Sequence, residues 1–63
     1  MASLREMREE KSLTQEDVAT AIGVSRIAVH KWEIGRNAPN AKYLSGLASL
    51  FECSVDDILC LYE

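Results

Sequence analysis

A chain of 63 residues, 48% hydrophobic and 27% charged, has the composition of one small globular domain rather than of a disordered segment. No apolar run approaches the ~18 residues of a membrane span, and the opening Met-Ala-Ser-Leu-Arg-Glu lacks the apolar core of a signal peptide. A cytoplasmic protein is expected, and its net charge of −3 argues against a nucleic-acid partner unless that charge is unevenly spread.

In chain order, Ser3-Leu-Arg-Glu6 has the S-x-x-E form of a capping box and opens a helix over about 4–11. Its inward face is Leu4 and Met7, with the stem of Lys11 as a further candidate, while Glu9 and Glu10 form a solvated face. Thr14-Gln-Glu-Asp17 is a second box and starts a helix over 15–22, whose stripe is Val18, Ala19 and Ile22. Gly23 follows, where a helix end needs a residue tolerant of positive φ. Ser25 then caps a third helix, 26–34, which buries Val29 and Trp32 with Ala28 behind them. Trp32 continues the face of Val29 and reads as core rather than as a stacking platform. A small residue at Ala19, glycine four later and a β-branched residue six beyond that is the spacing of a helix-turn-helix.

Gly35-Arg-Asn-Ala-Pro-Asn40 is a loop. Asn40 caps a fourth helix, 41–51, with the stripe Leu44, Leu47, Ala48 and Phe51. Ser54 caps a last helix, 55–62, expected to bury Val55, Ile58 and Leu59. There is no strand signal, repeat or low-complexity segment. The fold class is therefore all-α, a compact five-helix domain spanning 1–63. The Met start and the closing fifth helix lean towards a complete protein.

The charge is uneven. Residues 25–43 hold Arg26, Lys31, Arg36 and Lys42 against Glu33 alone, a balance of +3 with His30 in addition. Residues 1–24 balance to −2, and residues 44–63, with Glu52, Asp56, Asp57 and Glu63, to −4. The basic segment contains the second helix of the motif, and local potential outweighs the sum.

On the third helix, Arg26, Ile27, His30, Lys31 and Ile34 form the face opposite Val29 and Trp32. Arg26 and Lys31 can donate to guanine O6 and N7, and Ile27, in the N-terminal turn, can meet a thymine methyl. Ile34 either joins that face or tucks against the loop or fourth helix. His30 either reaches phosphate or faces solvent. Gln15 begins the second helix, where free N–H groups and the dipole attract phosphate. Lys42 and Tyr43 could reach the same DNA strand, although Lys42 reads equally well as a solubilising charge.

Cys53 and Cys60 read as reduced thiols, since a cytosolic disulfide is disfavoured and one histidine cannot complete a metal site. No cofactor or small-molecule ligand is evident. An enzyme is rejected: there is no nucleophile–base pair at recognisable spacing, no phosphate-cradling glycine loop and no room for a sizeable pocket. Ser25 after Gly-Val lacks the closing glycine of a nucleophile elbow.

Leu4-Arg-Glu-Met-Arg-Glu-Glu-Lys, Leu13-Thr-Gln-Glu-Asp-Val-Ala, Ile22-Gly-Val-Ser, Trp32-Glu-Ile-Gly-Arg, and Ala48 through Ile58-Leu59 carry a resemblance. Together they resemble the phage-repressor or Cro-type helix-turn-helix family, also called the xenobiotic-response-element (XRE) family, over roughly residues 3–61. The resemblance implies a five-helix domain that binds operator DNA, usually as a two-fold homodimer. It implies base-reading positions at Arg26, Ile27 and Lys31. It also implies backbone contacts at Gln15, Ser25, Arg36 and Asn37, and an ion pair between Arg8 and Glu33 that fixes the third helix against the first. The end of the domain would make the dimer seam, here Leu61 and Tyr62, unless these residues are simply a fraying terminus.

Two functions are thus carried forward. One is a sequence-specific DNA-binding transcriptional regulator that binds a pseudo-palindromic operator through the third helix in the major groove, a repressor by occluding polymerase, with an activator contact equally compatible with the sequence. The other is a protein-interaction or antitoxin-like module that keeps the repressor fold.

Overall fold

The computed structural model describes residues 3–62. Five helices follow in order: α1 Leu4–Glu10, α2 Gln15–Ile22, α3 Arg26–Glu33, α4 Ala41–Leu50 and α5 Val55–Cys60. Among the described residues there is no strand, and no helix is long and apolar enough to cross a membrane. The Cα radius of gyration is 10.2 Å, close to the ~10.6 Å of a compact chain this long.

Each helix starts where its cap dictates. Ser3, Thr14, Ser25 and Ser54 each accept a hydrogen bond from the backbone N–H three residues on, satisfying a donor that the helix cannot. Thr14–Asp17 and Ser54–Asp57 close full capping boxes. The Asp17 carboxyl is held below its usual range, first by the Thr14 backbone N–H and then by the Thr14 hydroxyl. Asn40 stands at the N-cap of α4, as expected, but its side chain makes no capping bond.

α2 ends at Ile22 as expected, whereas α1, α3 and α4 each end one residue short of the expected boundary, for one physical reason. After α1, α2, α3 and α4 the chain turns through a left-handed residue: Ser12, Gly23, Gly35 and Glu52, with φ of 56°, 85°, 77° and 55°. A backbone bond spanning five residues closes each turn: Leu13 to Arg8, Val24 to Ala19, Arg36 to Lys31 and Cys53 to Ala48. This is the Schellman closure, which satisfies carbonyls that the helix leaves open. It makes Lys11, Ile34 and Phe51 caps rather than last helical residues. At two closures a serine and a glutamate occupy a conformation that costs a side-chain-bearing residue about 1–2 kcal/mol.

α2 packs on α3, α1 on α3, α2 on α4 and α4 on α5. The shared core is Leu4, Val18, Ala19, Val29, Trp32, Leu44, Leu47, Ala48, Phe51 and Ile58. Gly46 lets α4 approach α2 closely: a Cβ there would stand 3.2 Å from Ile22 Cδ1. α5 corrects the sequence expectation. It stops at Cys60, and of its apolar residues Ile58 alone is buried. Val55 and Leu59 remain 37% and 43% exposed, because a six-residue helix turns one narrow face inward. Cys53 and Cys60 are free thiols, the former half-buried and pushed up in pKa by burial and then by Asp57.

Candidate nucleic-acid interface

α3 spends its inward face on Val29 and Trp32, both buried. The opposite face carries Arg26, Ile27, His30 and Ile34 exposed and Lys31 half-buried. Ile27 and Ile34 are each 58% exposed, so Ile34 does not tuck away against the loop or α4. Two wet isoleucines between cations give this face both donors and apolar contact points. Ser25 accepts the Ala28 N–H at 3.1 Å while its own O–H can still donate outward.

Three side chains, Arg8, Gln15 and Tyr62, fix α3 against its neighbours through polar contacts. Arg8 Nε donates to Glu33 Oε2 at 2.6 Å and Arg8 Nη2 to Glu33 Oε1 at 3.3 Å, so the Arg8–Glu33 ion pair is present and forked. The two side chains are 12% and 4% exposed, which shields the pair from solvent screening. Arg8 Nη1 donates to the Leu13 carbonyl at 2.8 Å, tying in the turn before α2. The bond to Glu33 raises the Arg8 pKa above its ordinary value, against the opposing effect of burial. Gln15 Nε2 donates to Glu33 Oε1 at 3.1 Å and lies 3.5 Å from His30 Nδ1, bringing the start of α2 beside the middle of α3.

The C-terminal end supplies the last contact. Tyr62 donates its hydroxyl to the Trp32 carbonyl at 2.9 Å, and its pKa is pushed up to about 12 by burial and then by Glu33. Leu61 and Tyr62 pack partly against the core, while the exposed apolar residues of this end are Val55 and Leu59.

Arg36 and Asn37 stand exposed in the loop after α3, their backbone N–H groups turned back on the Lys31 carbonyl at 2.9 and 3.4 Å. Lys42 Nζ lies 5.5 Å from the centre of the Tyr43 ring. That ring packs on Trp32 with centroids 5.8 Å apart and a 41° tilt. Tyr43 is therefore half core, and its neighbour Lys42 carries the exposed charge. The bonds from Arg8 to Leu13, Gln15 to Glu33 and Tyr62 to Trp32 were not legible in the sequence. The last two join elements whose approach depends on the whole packing, whereas Arg8 reaches a carbonyl five residues on, in the turn that closes its own helix.

A helix-turn-helix family model matches residues 4–58. The chain belongs to the helix-turn-helix family. Among relatives, the HTH-type transcriptional activator BcrR of Enterococcus faecalis is 39% identical over 56 residues, 89% of this chain and 28% of BcrR. YqaE of Bacillus subtilis (strain 168), an uncharacterised HTH-type transcriptional regulator, is 32% identical over 57 residues, 90% of this chain and 49% of YqaE. The chain thus spans between about a quarter and a half of these relatives. Among solved structures, the P22 c2 repressor protein in complex with synthetic operator 9T superposes with a TM-score of 0.84 at 29% identity, covering 87% of this chain and 83% of that one. Within the family this chain resembles the phage-repressor branch, all-α with five helices.

Proposed function

We propose that the chain is a sequence-specific DNA-binding transcriptional regulator that inserts α3 into the major groove. The observation that carries this reading is the outward face of α3. Arg26, Ile27 and Lys31 are displayed on a helix whose other face is locked into the core, with Gln15 at the start of α2 beside it. Base edges would be read by Arg26 and Lys31 donating to guanine and by Ile27 against a thymine methyl. Ser25, Gln15, His30, Arg36, Asn37, Lys42 and Tyr43 surround that face and would grip phosphates, which sets orientation rather than sequence preference. The likeness to a repressor crystallised with an operator supports double-stranded DNA as the partner, while the relatives include both a repressor and an activator, so either outcome fits.

Association as a homodimer would place two α3 helices about one turn, ~34 Å, apart on a pseudo-palindrome. Leu61 and Tyr62 would contribute to the seam, with the exposed Val55 and Leu59 beside them. The acidic total favours one alternative, a protein-interaction or antitoxin-like module on the same fold.

Salt dependence separates the two. Binding to a labelled duplex followed by fluorescence anisotropy should weaken with salt at a log–log slope of about −0.9 per phosphate neutralised. For four to six contacts the expected slope is about −4 to −5. A slope near zero, or no duplex binding at low salt, contradicts the DNA-binding reading and favours the protein-interaction module.

A further inference from the structure

Glu33 is an acid at the edge of the face described above, where a negative charge opposes the approach of phosphate. Its surroundings assign it a second role. Oε2 accepts Arg8 Nε, while Oε1 accepts both Arg8 Nη2 and Gln15 Nε2. The Glu33 side chain is 4% exposed and its charge is met by Arg8. Gln15, whose Nε2 also lies 3.5 Å from His30 Nδ1, lines an open cleft of about 300 Å³ with Arg5, Arg8, His30, Glu33 and Ile34. An unheld glutamine has soft torsions, and ordering them on binding lowers affinity. Here that ordering is done in the free protein.

We infer that Glu33 is a positioning residue. Through its bond to Gln15 it holds the glutamine amide ready for a DNA backbone phosphate, and so strengthens duplex binding despite its charge. The inference rests on the DNA-binding reading above. It makes a prediction opposite to that of simple electrostatics, by which deleting a negative charge beside DNA tightens binding. In Glu33→Gln the one carboxamide oxygen has two lone pairs for the three donors Arg8 Nε, Arg8 Nη2 and Gln15 Nε2, so Gln15 competes with a charged guanidinium for it and its hold is weakened.

The test is a double-mutant cycle in binding of the full chain to a labelled 20-base-pair duplex of mixed sequence. It compares wild type, Glu33→Gln, Gln15→Leu and the double variant, below the unfolding transition of each as followed by circular dichroism. Glu33→Gln should weaken binding about 3- to 10-fold, Gln15→Leu by at least as much, and the double variant no more than Gln15→Leu alone. If Glu33→Gln does not fold, Glu33→Asp takes its place; it keeps the charge but draws the carboxylate away from Gln15, and should weaken binding similarly. Unchanged or tighter binding by the Glu33 variant, or losses that multiply in the double variant, would overturn the inference while leaving DNA binding intact. Failure of the wild type to bind any duplex would overturn the DNA-binding reading, and this inference with it.

Discussion

α3 and α5 are held in opposite ways. α3 buries Val29 and Trp32 and is further tied by Arg8 and Gln15 on Glu33 and by Tyr62 on the Trp32 carbonyl. Its outer face is mostly exposed and shows two isoleucines among cations. α5 is six residues long and is anchored by Ile58, with Asp56 and Asp57 in its exposed first turn. The first is a helix clamped from three sides to present a face; the second is a plug that closes the core. Directional polar contacts fix the orientation of α3, whereas apolar packing supplies most of the stability.

Cutting the plug should have the largest effect. Ile58→Ala leaves a cavity where the side chain has no solvent exposure and should cost about 3–4 kcal/mol, seen as a large drop in denaturation midpoint. Val55→Ala, on the exposed side of the same helix, should cost under about 1 kcal/mol.

The turn that sets the angle between α2 and α3 comes next. A Cβ at Gly23 would meet no atom within 4 Å, so the cost of Gly23→Ala is purely that of positive φ, about 1–2 kcal/mol by chemical denaturation. The mirror experiment, Ser12→Gly at the end of α1, should stabilise by up to about 1 kcal/mol, because a strained serine is replaced by a residue at ease there.

The tie at Tyr62 comes last because the loss it predicts is confined to high pH. Its proton is held more tightly in the folded chain than at its ordinary value of 10.0, so the contribution is fully present below pH 10 and lost as pH rises towards about 12. Ultraviolet titration should show a late-ionising step from Tyr62, and Tyr62→Phe should remove that step and flatten the alkaline loss of stability.

What the sequence revealed follows the range of the interactions. Helix starts were legible because capping is local: Ser3, Thr14, Ser25 and Ser54 each act on residues three away. Helix ends at Ser12 and Glu52 were not, because neither residue type signals a left-handed turn. The stripe Leu44, Leu47, Ala48 and Phe51 was legible from its spacing and is buried throughout. Val55 and Leu59 share the apolar character of Ile58 but not its burial, a distinction set by what α5 meets rather than by periodicity. At the candidate interface, the Arg8–Glu33 pair came from family resemblance, and its extension to Gln15 needed the relative placement of α1, α2 and α3.

The central claim is that the outer face of α3 reads bases. The most direct test is selection of the purified chain on a pool of random duplexes, with sequencing of the bound fraction, repeated for Arg26→Ala combined with Lys31→Ala. The account predicts recovery of a two-fold-symmetric motif by the wild type and its loss or relaxation in the double variant. Absence of a motif at low salt, or the same motif from both proteins, would contradict base reading by α3.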